Sequence, residues 1–421
     1  MMRPSAVFSI SFPVTAKYHS ANEKRWLLMR ILHFISVFSL LSETFVYDEI
    51  NALEGVFPRG NTILTFERQL EKERPFPRVV VLTRKPSLAQ KLQRRRLKLF
   101  ERTNVPLEHL PLYCYLEQNL AAFDLIHVHF GWNALPIHQV FKRLSPEKRR
   151  PLVIQCQGTD VNSAPELIPE YRRQFLELAQ DDGVRFTANS EFMKAKMVKL
   201  GIAPDKIHLV YNAYNRAFLS QRKEHFFKTG DELKLINTAR FIEWKGQAYL
   251  VRGFARFVRE VYGNSRLTLV GEGETLAKVK ALAKNEGVAD RIQFLGGVPH
   301  GEIPRLLSGH DLYVQSSIVD PKTFQEEGMP LAVLEAMAVG LPMVVTRTGG
   351  MPEIVGEANP FARIIPDRDP EAICRAFKEL LEAGACSRDI SAHAQKQLEI
   401  FSQERQMRDL KLVYASALKR A

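Results

Sequence analysis

Short apolar runs alternate with longer amphipathic stretches along most of this chain. Residues 29–36, 125–129 and 152–155 are strand-sized and almost continuously apolar, as expected for strands that are buried on both faces of a sheet. Residues 190–200 have the length of a helix, and Ser190 is a residue type that caps a helix start. This alternation predicts parallel sheets that are covered by helices on both faces.

The alternation runs through two successive series of predicted strands. The first series covers residues 29–36, 77–82, 125–129, 152–155, 184–188 and 207–210, and the second covers residues 233–238, 266–270, 292–295, 312–314 and 343–346. The polar stretch 212–232 between the two series predicts a linker. We therefore predict two doubly wound α/β domains, with ligands bound beyond the carboxyl ends of the strands and in the cleft between the domains.

Composition narrows the class of protein. The chain of 421 residues has 45% apolar and 25% charged residues, ordinary values for a protein with sizeable buried cores. No apolar run approaches the ~18–20 residues that span a bilayer. The four cysteines, Cys114, Cys156, Cys374 and Cys386, are far apart and lack metal-ligand spacing. We therefore expect reduced and mostly buried thiols in a cytoplasmic protein.

The net charge of +12 is unevenly placed, and a basic cluster lies at residues 91–102. Leu88, Leu92 and Leu99 share one helical face, so this segment can form a basic amphipathic helix. Such a helix fits an anionic membrane surface, to which each cation contributes roughly 1 kcal/mol. A solvated helix on a basic protein is the alternative. No basic stripe interleaved with aromatic residues is present, so no nucleic-acid partner is predicted.

The segment 327–342 carries the clearest chemical pattern. It joins a glycine-containing loop to an apolar helix, with Pro330 suited to the first helical position. Unpaired N–H groups at a helix start form an anion site, and Glu327 and Glu335 flank that start. Amides for an anion beside carboxylates for hydroxyl groups suit a sugar joined to a phosphate. The alternative is a helix with an acidic first turn and a buried apolar face.

Two further loops follow predicted strands of the second series. Arg240 and Lys245 lie five residues apart in one turn, where they can straddle a diphosphate. Surface cations that pack beside Trp244 are the alternative. Gly271 and Gly273 allow the backbone to approach a ligand closely, but the full G-x-G-x-x-G fingerprint is absent. A nicotinamide-dependent enzyme is therefore not favoured.

Polar residues also follow predicted strands of the first series. Ser42 or Thr44 can cap the helix after the first strand, and Glu43 favours its first turn. His127 is expected to be structural, whereas His129 fits binding and structure equally. We expect these two histidines on opposite faces of their strand, which argues against a shared metal. His129, Gln157, Thr159 and Asp160 are predicted to form a polar wall on the cleft. Ser42, Glu43, Thr44 and Gly158 are further candidate contacts to the acceptor.

Together these elements resemble the family 4 glycosyltransferases, which are retaining enzymes with the two-domain GT-B architecture. The resemblance runs from residue 29 to about residue 418 in consistent order. Its opening, residues 41–46 together with residues 127–131, looks most like the branch that assembles bacterial exopolysaccharide and colanic-acid-type repeat units. The resemblance is carried by Glu327 and Glu335 with seven residues between them, Gly349-Gly350-x-Pro352-Glu353, Arg240 with Lys245-Gly246, Gly271-x-Gly273, Phe294-Leu-Gly296 and Asn189-Ser190-Glu191.

The resemblance implies a role for each part of the chain. Residues 215–402 would bind the nucleotide sugar, and residues 29–214 with the last helix at about residues 403–421 would bind the acceptor. The composition of residues 1–28, with a short apolar patch that Pro13 interrupts, separately predicts a flexible N-terminal extension, and a weak signal peptide is the alternative. The implied catalytic residues are Arg240 and Lys245 on the diphosphate and Glu327 on the hexose, while Glu335 holds the ribose. The other implied donor contacts are Gly271, Gly273, Leu295, Gly296, Val298, Gly328, Met329, Pro330, Leu331 and Ala332.

The reaction implied by the resemblance is transfer of a hexose, with retention of configuration, from a UDP- or GDP-linked sugar to a glycan or lipid-linked saccharide. The nucleotide sugar is a co-substrate. Neither a cofactor nor a metal is expected, because protein cations and helix N–H groups neutralise the leaving diphosphate. A cytoplasmic protein whose residues 91–102 contact the inner face of the membrane would meet such an acceptor.

Gln157 departs from the family pattern, which usually has a histidine before the glycine. Glutamine can donate or accept a hydrogen bond but cannot carry a proton near pH 7, so His129 becomes the stand-in if this position must titrate. Ala213 is a second departure, because a glycine is usual after Asn212. Two other classes stay open, namely a GT-B epimerase or phosphorylase and a non-catalytic nucleotide-sugar-binding subunit.

Overall fold

A computed structural model of the chain describes residues 26, 28–40, 43–100, 105–222, 230–383 and 389–419. Ser42, residues 101–102 of the basic cluster and almost all of the predicted extension therefore lie outside the described residues. The chain forms two compact units, one up to His127 together with Val140–Arg150, and the other made of Val128–Gln139 and the chain from Pro151 onward. The predicted change of domain near residue 214 lies inside the second unit and stays a prediction.

The first unit is built on parallel strands in the order β5-β3-β1. Its elements are β1 (Ile31–Phe34), β2 (Val37–Phe38), α1 (Thr44–Val56), β3 (Asn61–Thr65), β4 (Glu67–Arg68), β5 (Val79–Val81), α2 (Leu88–Phe100) and α3 (Leu110–Asn119). Every residue of β1 is buried, which agrees with its continuously apolar sequence. The strand predicted at 77–82 is shorter and not buried, because β5 ends the strand order and Val81 is 52% exposed.

The chain passes from the first unit into the second through β6 (Leu125–His129) and α4 (Gly131–Phe141). The parallel strands β7, β8 and β9 follow, and β7 and β8 are buried along their whole length. The elements of this part are β7 (Leu152–Cys156), α5 (Thr159–Asn162), α6 (Ala164–Leu167), α7 (Pro169–Ala179), β8 (Val184–Ala188), α8 (Glu191–Leu200) and β9 (Ile207–Leu209). Ser190 caps α8 as predicted, since its hydroxyl accepts from the N–H of Met193.

A six-stranded parallel sheet forms the rest of the second unit, in the order β12-β11-β10-β13-β14-β15. The order reverses between β10 and β13, which is the switch point where ligands of such sheets bind. The elements are β10 (Leu233–Thr238), α9 (Gln247–Glu260), β11 (Ser265–Val270), α10 (Leu276–Asn285), β12 (Ile292–Gly296), α11 (Ile303–Ser308), β13 (Leu312–Gln315), α12 (Leu331–Val339), β14 (Met343–Thr346), α13 (Met351–Val355), β15 (Ala362–Ile365), α14 (Pro370–Glu382), α15 (Asp389–Leu398) and α16 (Gln403–Lys419).

Apolar cores lie on both faces of this sheet. Leu235 belongs to a core with α9 and α14, whereas its neighbour Ile236 belongs to a core with α12 and α13. Successive strand residues point to opposite faces, so a continuously apolar strand fills both cores. This arrangement confirms the predicted parallel sheet with helices on both sides.

Some boundaries differ from the prediction. β3 and β15 were not predicted, because their sequences, Asn61-Thr-Ile-Leu-Thr65 and Ala362-Arg-Ile-Ile365, are too short or too polar to stand out. Helix α12 begins at Leu331, so Pro330 occupies the cap position rather than the first helical position. Thr44 is likewise the first residue of α1 and does not occupy the cap position, which Glu43 takes.

The last helix, α16, contacts β7 and β8. Its predicted apolar face of Met407, Leu410 and Tyr414 is buried. The buried Arg185 of β8 donates from Nε to the hydroxyl of Ser416 at 3.3 Å. Cys114, Cys156 and Cys374 are buried free thiols, as predicted, and Cys386 is outside the described residues. Among the described helices, none combines the length and the hydropathy that crossing a bilayer requires.

Candidate functional site

The loops that follow β10 and β13 meet at the switch point of the six-stranded sheet. After β10 the chain forms a short helix, Glu243–Lys245, and turns at Gly246, which is left-handed with φ 69°. A Cβ atom at Gly246 would lie 1.9 Å from the carbonyl oxygen of Ser316, so only glycine allows the two loops to pack together. The hydroxyl of Ser316 also donates to the carbonyl of Lys245 at 3.2 Å. These contacts bring Lys245 to the end of β13.

Glu327 is the buried centre of this site and is only 3% exposed. Its Oε1 accepts hydrogen bonds from Lys245 Nζ at 2.6 Å, from the hydroxyl of Ser317 at 2.6 Å and from Gln315 Nε2 at 3.2 Å. Tyr313 in turn donates to Gln315 Oε1 at 2.7 Å. Three converging donors fix one oxygen of the carboxylate, so the group is preorganised for a ligand.

Lys245 and Arg240 form the cationic side of the site. Burial lowers the pKa of Lys245; the carboxylate of Glu327 opposes this shift, and the nearby charge of Arg240 adds to it. The ammonium also lies 4.1 Å from the centre of the Trp244 ring, a favourable cation–π contact. Arg240 itself is exposed. The structure thus brings the two predicted cations and the predicted carboxylate together, although they are distant in sequence.

The loop at Glu327 rests on the backbone of the Gly349-Gly350 pair. Gly349 is left-handed with φ 57°, and a Cβ atom there would lie 1.7 Å from the carbonyl oxygen of Glu327. The N–H of Gly350 donates to the carbonyl of Gly328 at 2.9 Å. Gly328 has no room for a side chain either, because a Cβ atom would lie 2.5 Å from the carbonyl of Gln157. The position of the loop is therefore set by backbone packing on two sides.

Helix α12 starts directly after this loop. Met329 and Pro330 are buried, whereas Leu331 and Ala332 in the first turn are partly exposed. The first N–H groups of a helix have no partner within it, and the helix dipole favours an anion there. The predicted anion site at the start of this helix therefore lies next to Glu327, at the edge of the sheet where the strands have their carboxyl ends.

Glu335 sits farther along α12 and has a partner that the sequence analysis missed. His300, in the short helix His300–Glu302 after β12, lies with Nε2 2.8 Å from Glu335 Oε1. The His300 ring also packs against Phe218, with ring centroids 5.5 Å apart. His300 follows the predicted contact Val298 by only two residues, and that proximity was the available signal. Leu295, Gly296 and Val298 are partly exposed in the same segment.

Gly271 and Gly273 have a structural reason to be glycine. Their φ angles are 134° and 149°, and added Cβ atoms would lie 2.1 and 2.3 Å from the carbonyl oxygens of Ala239 and Phe241. The N–H of Phe241 also donates to the carbonyl of Glu272 at 2.8 Å. The two glycines therefore let the loop after β11 pack on the loop that carries Arg240.

Gln157 is held in a cluster of side-chain amides. Its Oε1 accepts from Asn189 Nδ2 at 3.0 Å and from Asn212 Nδ2 at 2.9 Å, and its Nε2 donates to Asn212 Oδ1 at 3.3 Å. Asn189 Nδ2 also donates to the carbonyl of Gln157 at 3.1 Å. These bonds fix the orientation of the Gln157 side chain beside Gly328.

Asp160 is fully buried and bonded to the backbone. Its carboxylate accepts from the N–H groups of Gly131, Gln157 and Gly158 at 2.9, 3.1 and 2.9 Å. Burial raises the pKa of Asp160, and these backbone amides oppose the shift. Asp160 therefore shapes the turn after β7, and its predicted contact with an acceptor stays a prediction. Neighbouring Thr159 donates to Gln325 Oε1 at 3.1 Å.

The histidines of β6 correct one expectation. Ring nitrogens of His127 and His129 lie within 4.8 Å of each other, because side chains two residues apart on a strand share a face. The expectation that they face opposite sides is wrong. The metal-free prediction therefore depends on the family resemblance alone. His129 is buried, with Nδ1 2.6 Å from Gln155 Oε1.

Glu43 and Thr44 lie at the start of α1 in the first unit, where their acceptor role stays a prediction.

Two solved structures share the fold of this chain. A structure of Anabaena Alr3699/HepE in complex with UDP superposes with a TM-score of 0.72 at 18% identity, covering 92% of this chain and all of that one. The apo form of the lipopolysaccharide outer core galactosyltransferase WaaB gives 0.68 at 15% identity, covering 92% and 99%. These likenesses confirm the predicted GT-B fold.

Family profiles identify the chain within this class. The profile of glycosyltransferase family 4 matches residues 60–218, and the profile of glycosyl transferases group 1 matches residues 220–397. The chain therefore belongs to the family 4, group 1 glycosyltransferases, as the sequence motifs predicted.

Curated relatives match part of the chain. N-acetyl-alpha-D-glucosaminyl L-malate synthase of Bacillus anthracis is 30% identical over 244 residues, which are 55% of this chain and 58% of that protein. The amylovoran biosynthesis glycosyltransferase AmsK of Erwinia amylovora is 25% identical over 66% of each chain. The putative colanic acid biosynthesis glycosyltransferase WcaL of Escherichia coli is 27% identical over 53% and 54%. The chain thus spans 54 to 66% of the lengths of these relatives.

Proposed function

We propose that this protein transfers a hexose from a nucleotide diphosphate sugar to a saccharide acceptor, with retention of configuration and without a metal. The observation that carries the proposal is the cluster of Arg240, Lys245 and Glu327 at the start of α12 and at the switch point of the sheet. A diphosphate needs positive charge, and a sugar needs hydrogen-bond acceptors for its hydroxyls. Both are present within one hydrogen-bonded cluster.

Catalysis in this proposal is stabilisation of the leaving diphosphate. Arg240, Lys245 and the N–H groups of Leu331 and Ala332 face the negative charge that develops as the glycosidic bond breaks. Lys245 is already held at 2.6 Å by Glu327, so little reorganisation is needed when the diphosphate arrives. Glu327 binds hydroxyls of the hexose, and its contact with Lys245 keeps the two substrate groups adjacent.

The remaining donor contacts of this proposal are those that the family resemblance implies. Glu335, held by His300, accepts from the ribose hydroxyls, and the base lies along the backbone from Leu295 to Val298. A UDP-linked donor is supported by the structural neighbour that was solved with UDP. A GDP-linked donor has the same diphosphate and ribose and differs only in the base. A thermal-shift screen of UDP- and GDP-sugars therefore distinguishes the two donors.

The acceptor in this proposal is a glycan or lipid-linked saccharide of an exopolysaccharide pathway. The relatives named for amylovoran and colanic acid biosynthesis support this assignment. In this proposal Gln157, Asp160 and His129 are assigned to the acceptor side of the reaction. Gln157 keeps its family position but acts through hydrogen bonds, since an amide does not titrate near pH 7.

A cytoplasmic location at an anionic membrane surface would bring the protein to a lipid-linked acceptor. Helix α2 supports this part of the proposal, because Leu88, Leu92 and Leu99 are 75%, 55% and 75% exposed beside the cations of residues 91–98. Leu97 is buried and holds the helix in place. Sedimentation with anionic liposomes at low salt, and not with neutral ones, is expected. Equal sedimentation with both would remove the membrane contact.

The catalytic proposal is tested by Arg240→Ala and Lys245→Ala. Each variant is expected to lose about 10²-fold or more in kcat, comparable to the loss of an oxyanion-hole donor. Lys278→Ala is the matched control, because Lys278 is an exposed lysine that pairs only with the exposed Glu243 among the described contacts. Turnover is followed by mass spectrometry of the glycosylated product. Near-normal turnover in both active-site variants would contradict the proposal.

A further inference from the structure

Glu353 makes contacts that the proposed reaction does not use. It lies on α13, yet its carboxylate receives the N–H groups of Glu191 and Phe192 at the start of α8, at 2.8 Å each. The hydroxyl of Tyr211 donates to the same carboxylate at 3.2 Å. A carboxylate at a helix start is stabilised by the free N–H groups and by the helix dipole. Glu353 is thus a cap for α8 that comes from about 160 residues away.

Glu353 completes the set of hydrogen-bond acceptors for the N–H groups at the start of α8. The helix's own cap, Ser190, accepts from the N–H of Met193 at 3.1 Å. Glu353 accepts from the N–H groups of Glu191 and Phe192, which precede Met193. The N–H of Lys194, which follows Met193, donates to the carbonyl of Ser190. Removing Glu353 therefore leaves two donors at the helix start without their partner.

Residues 349–353, which end at Glu353, begin with two glycines that pack against the proposed donor loop at Glu327 and Gly328. Gly349 has no room for a side chain beneath Glu327, and Gly350 donates to the carbonyl of Gly328. On the α8 side, the hydroxyl of Ser190 lies 3.4 Å from the same carbonyl. Residues 349–353 thus connect the loop of Glu327 to the start of α8 through hydrogen bonds at both ends.

We propose that Glu353 is a positioning residue that holds the Glu327–Gly328 loop in register with the start of α8, and thereby with the Gln157 amide cluster beside Gly328. The kinetic consequence rests on the proposed glycosyl transfer; the contact itself does not. The cap keeps the donor loop and the acceptor-side turn at a fixed separation during transfer. Tyr211, which donates to Glu353, is itself held by Arg405, whose guanidinium lies 5.5 Å from the centre of the Tyr211 ring.

The test compares Glu353→Ala and Glu353→Gln in the full-length protein. Glu357→Gln is the matched control, because Glu357 is an exposed carboxylate that pairs with the exposed Arg347. Hydrogen exchange at the first turn of α8 is expected to accelerate about 2- to 30-fold in Glu353→Ala, the range that corresponds to loss of a helix cap. Glu353→Gln keeps one acceptor oxygen, so a smaller acceleration is expected. Exchange elsewhere should match the wild type.

Kinetics separate positioning from donor binding. In Glu353→Ala, kcat should fall by about the factor by which hydrogen exchange at the start of α8 accelerates, while the Kd for the nucleotide changes less than twofold. Glu353→Gln should recover part of the lost kcat. Unchanged exchange at α8, faster exchange throughout the chain, or a Kd that rises as much as kcat falls would each overturn the positioning role. If the wild type and Glu357→Gln transfer no sugar, the proposed function fails, and the exchange measurement still decides the Glu353 contact.

Discussion

The Lys245–Glu327 ion pair gives the sharpest prediction about stability. The two side chains are only 13% and 4% exposed, and Lys245 Nζ lies 2.6 Å from Glu327 Oε1. Replacing Lys245 with methionine keeps the length of the side chain but leaves the carboxylate buried without its cation. Breaking a buried pair in this way costs about 3–5 kcal/mol. Ser317 and Gln315 still donate to Glu327, so we expect the lower end, about 3 kcal/mol.

A second substitution identifies the stranded charge as the cause. Glu327→Gln in the Lys245→Met background replaces the buried carboxylate with a neutral amide, and it should restore at least half of the lost stability. The control Lys278→Met breaks the exposed Lys278–Glu243 pair and should cost less than about 1 kcal/mol. Urea unfolding followed by circular dichroism measures all four proteins. A Lys245→Met cost no larger than the control, or a double variant less stable than Lys245→Met, would refute the reasoning.

Two further predictions concern His33 and Gly349. Burial lowers the pKa of His33 from 6.5 to about 4, against an opposing hydrogen bond to Asn61. The unfolded chain takes up this proton near pH 6.5, so stability should fall by up to about 3 kcal/mol as pH drops from 6.5 to 4, and His33→Gln should flatten that part of the urea-midpoint profile. Gly349→Ala forces a Cβ atom to 1.7 Å from the Glu327 carbonyl, so it should abolish nucleotide-induced thermal stabilisation, whereas Gly287→Ala, left-handed but in open space, should lose only about 1–2 kcal/mol of stability and keep the nucleotide response.

Local patterns were sufficient to predict most strands of the two sheets and the residue types of the candidate site. Strands such as β7 and β10 are continuously apolar because both faces of a parallel sheet are buried, and that property is visible in the sequence. Arg240 and Lys245 were found because they follow a predicted strand, and Glu327 was found because its glycine-containing loop leads into an apolar helix. The strand β15 escaped because Ala362-Arg-Ile-Ile365 is short and carries a charge.

The sequence by itself determined the α/β alternation, the family motifs and the loops that carry the charged residues, since each depends on neighbours a few positions away. Only the tertiary structure decided which of those residues touch. Lys245 and Glu327 are 82 positions apart, His300 meets Glu335 across 35, and Glu353 caps a helix about 160 positions earlier. Spacing along the chain carries no information about such contacts, because they are set by the order of strands in the sheet and by backbone packing at glycines without room for a side chain.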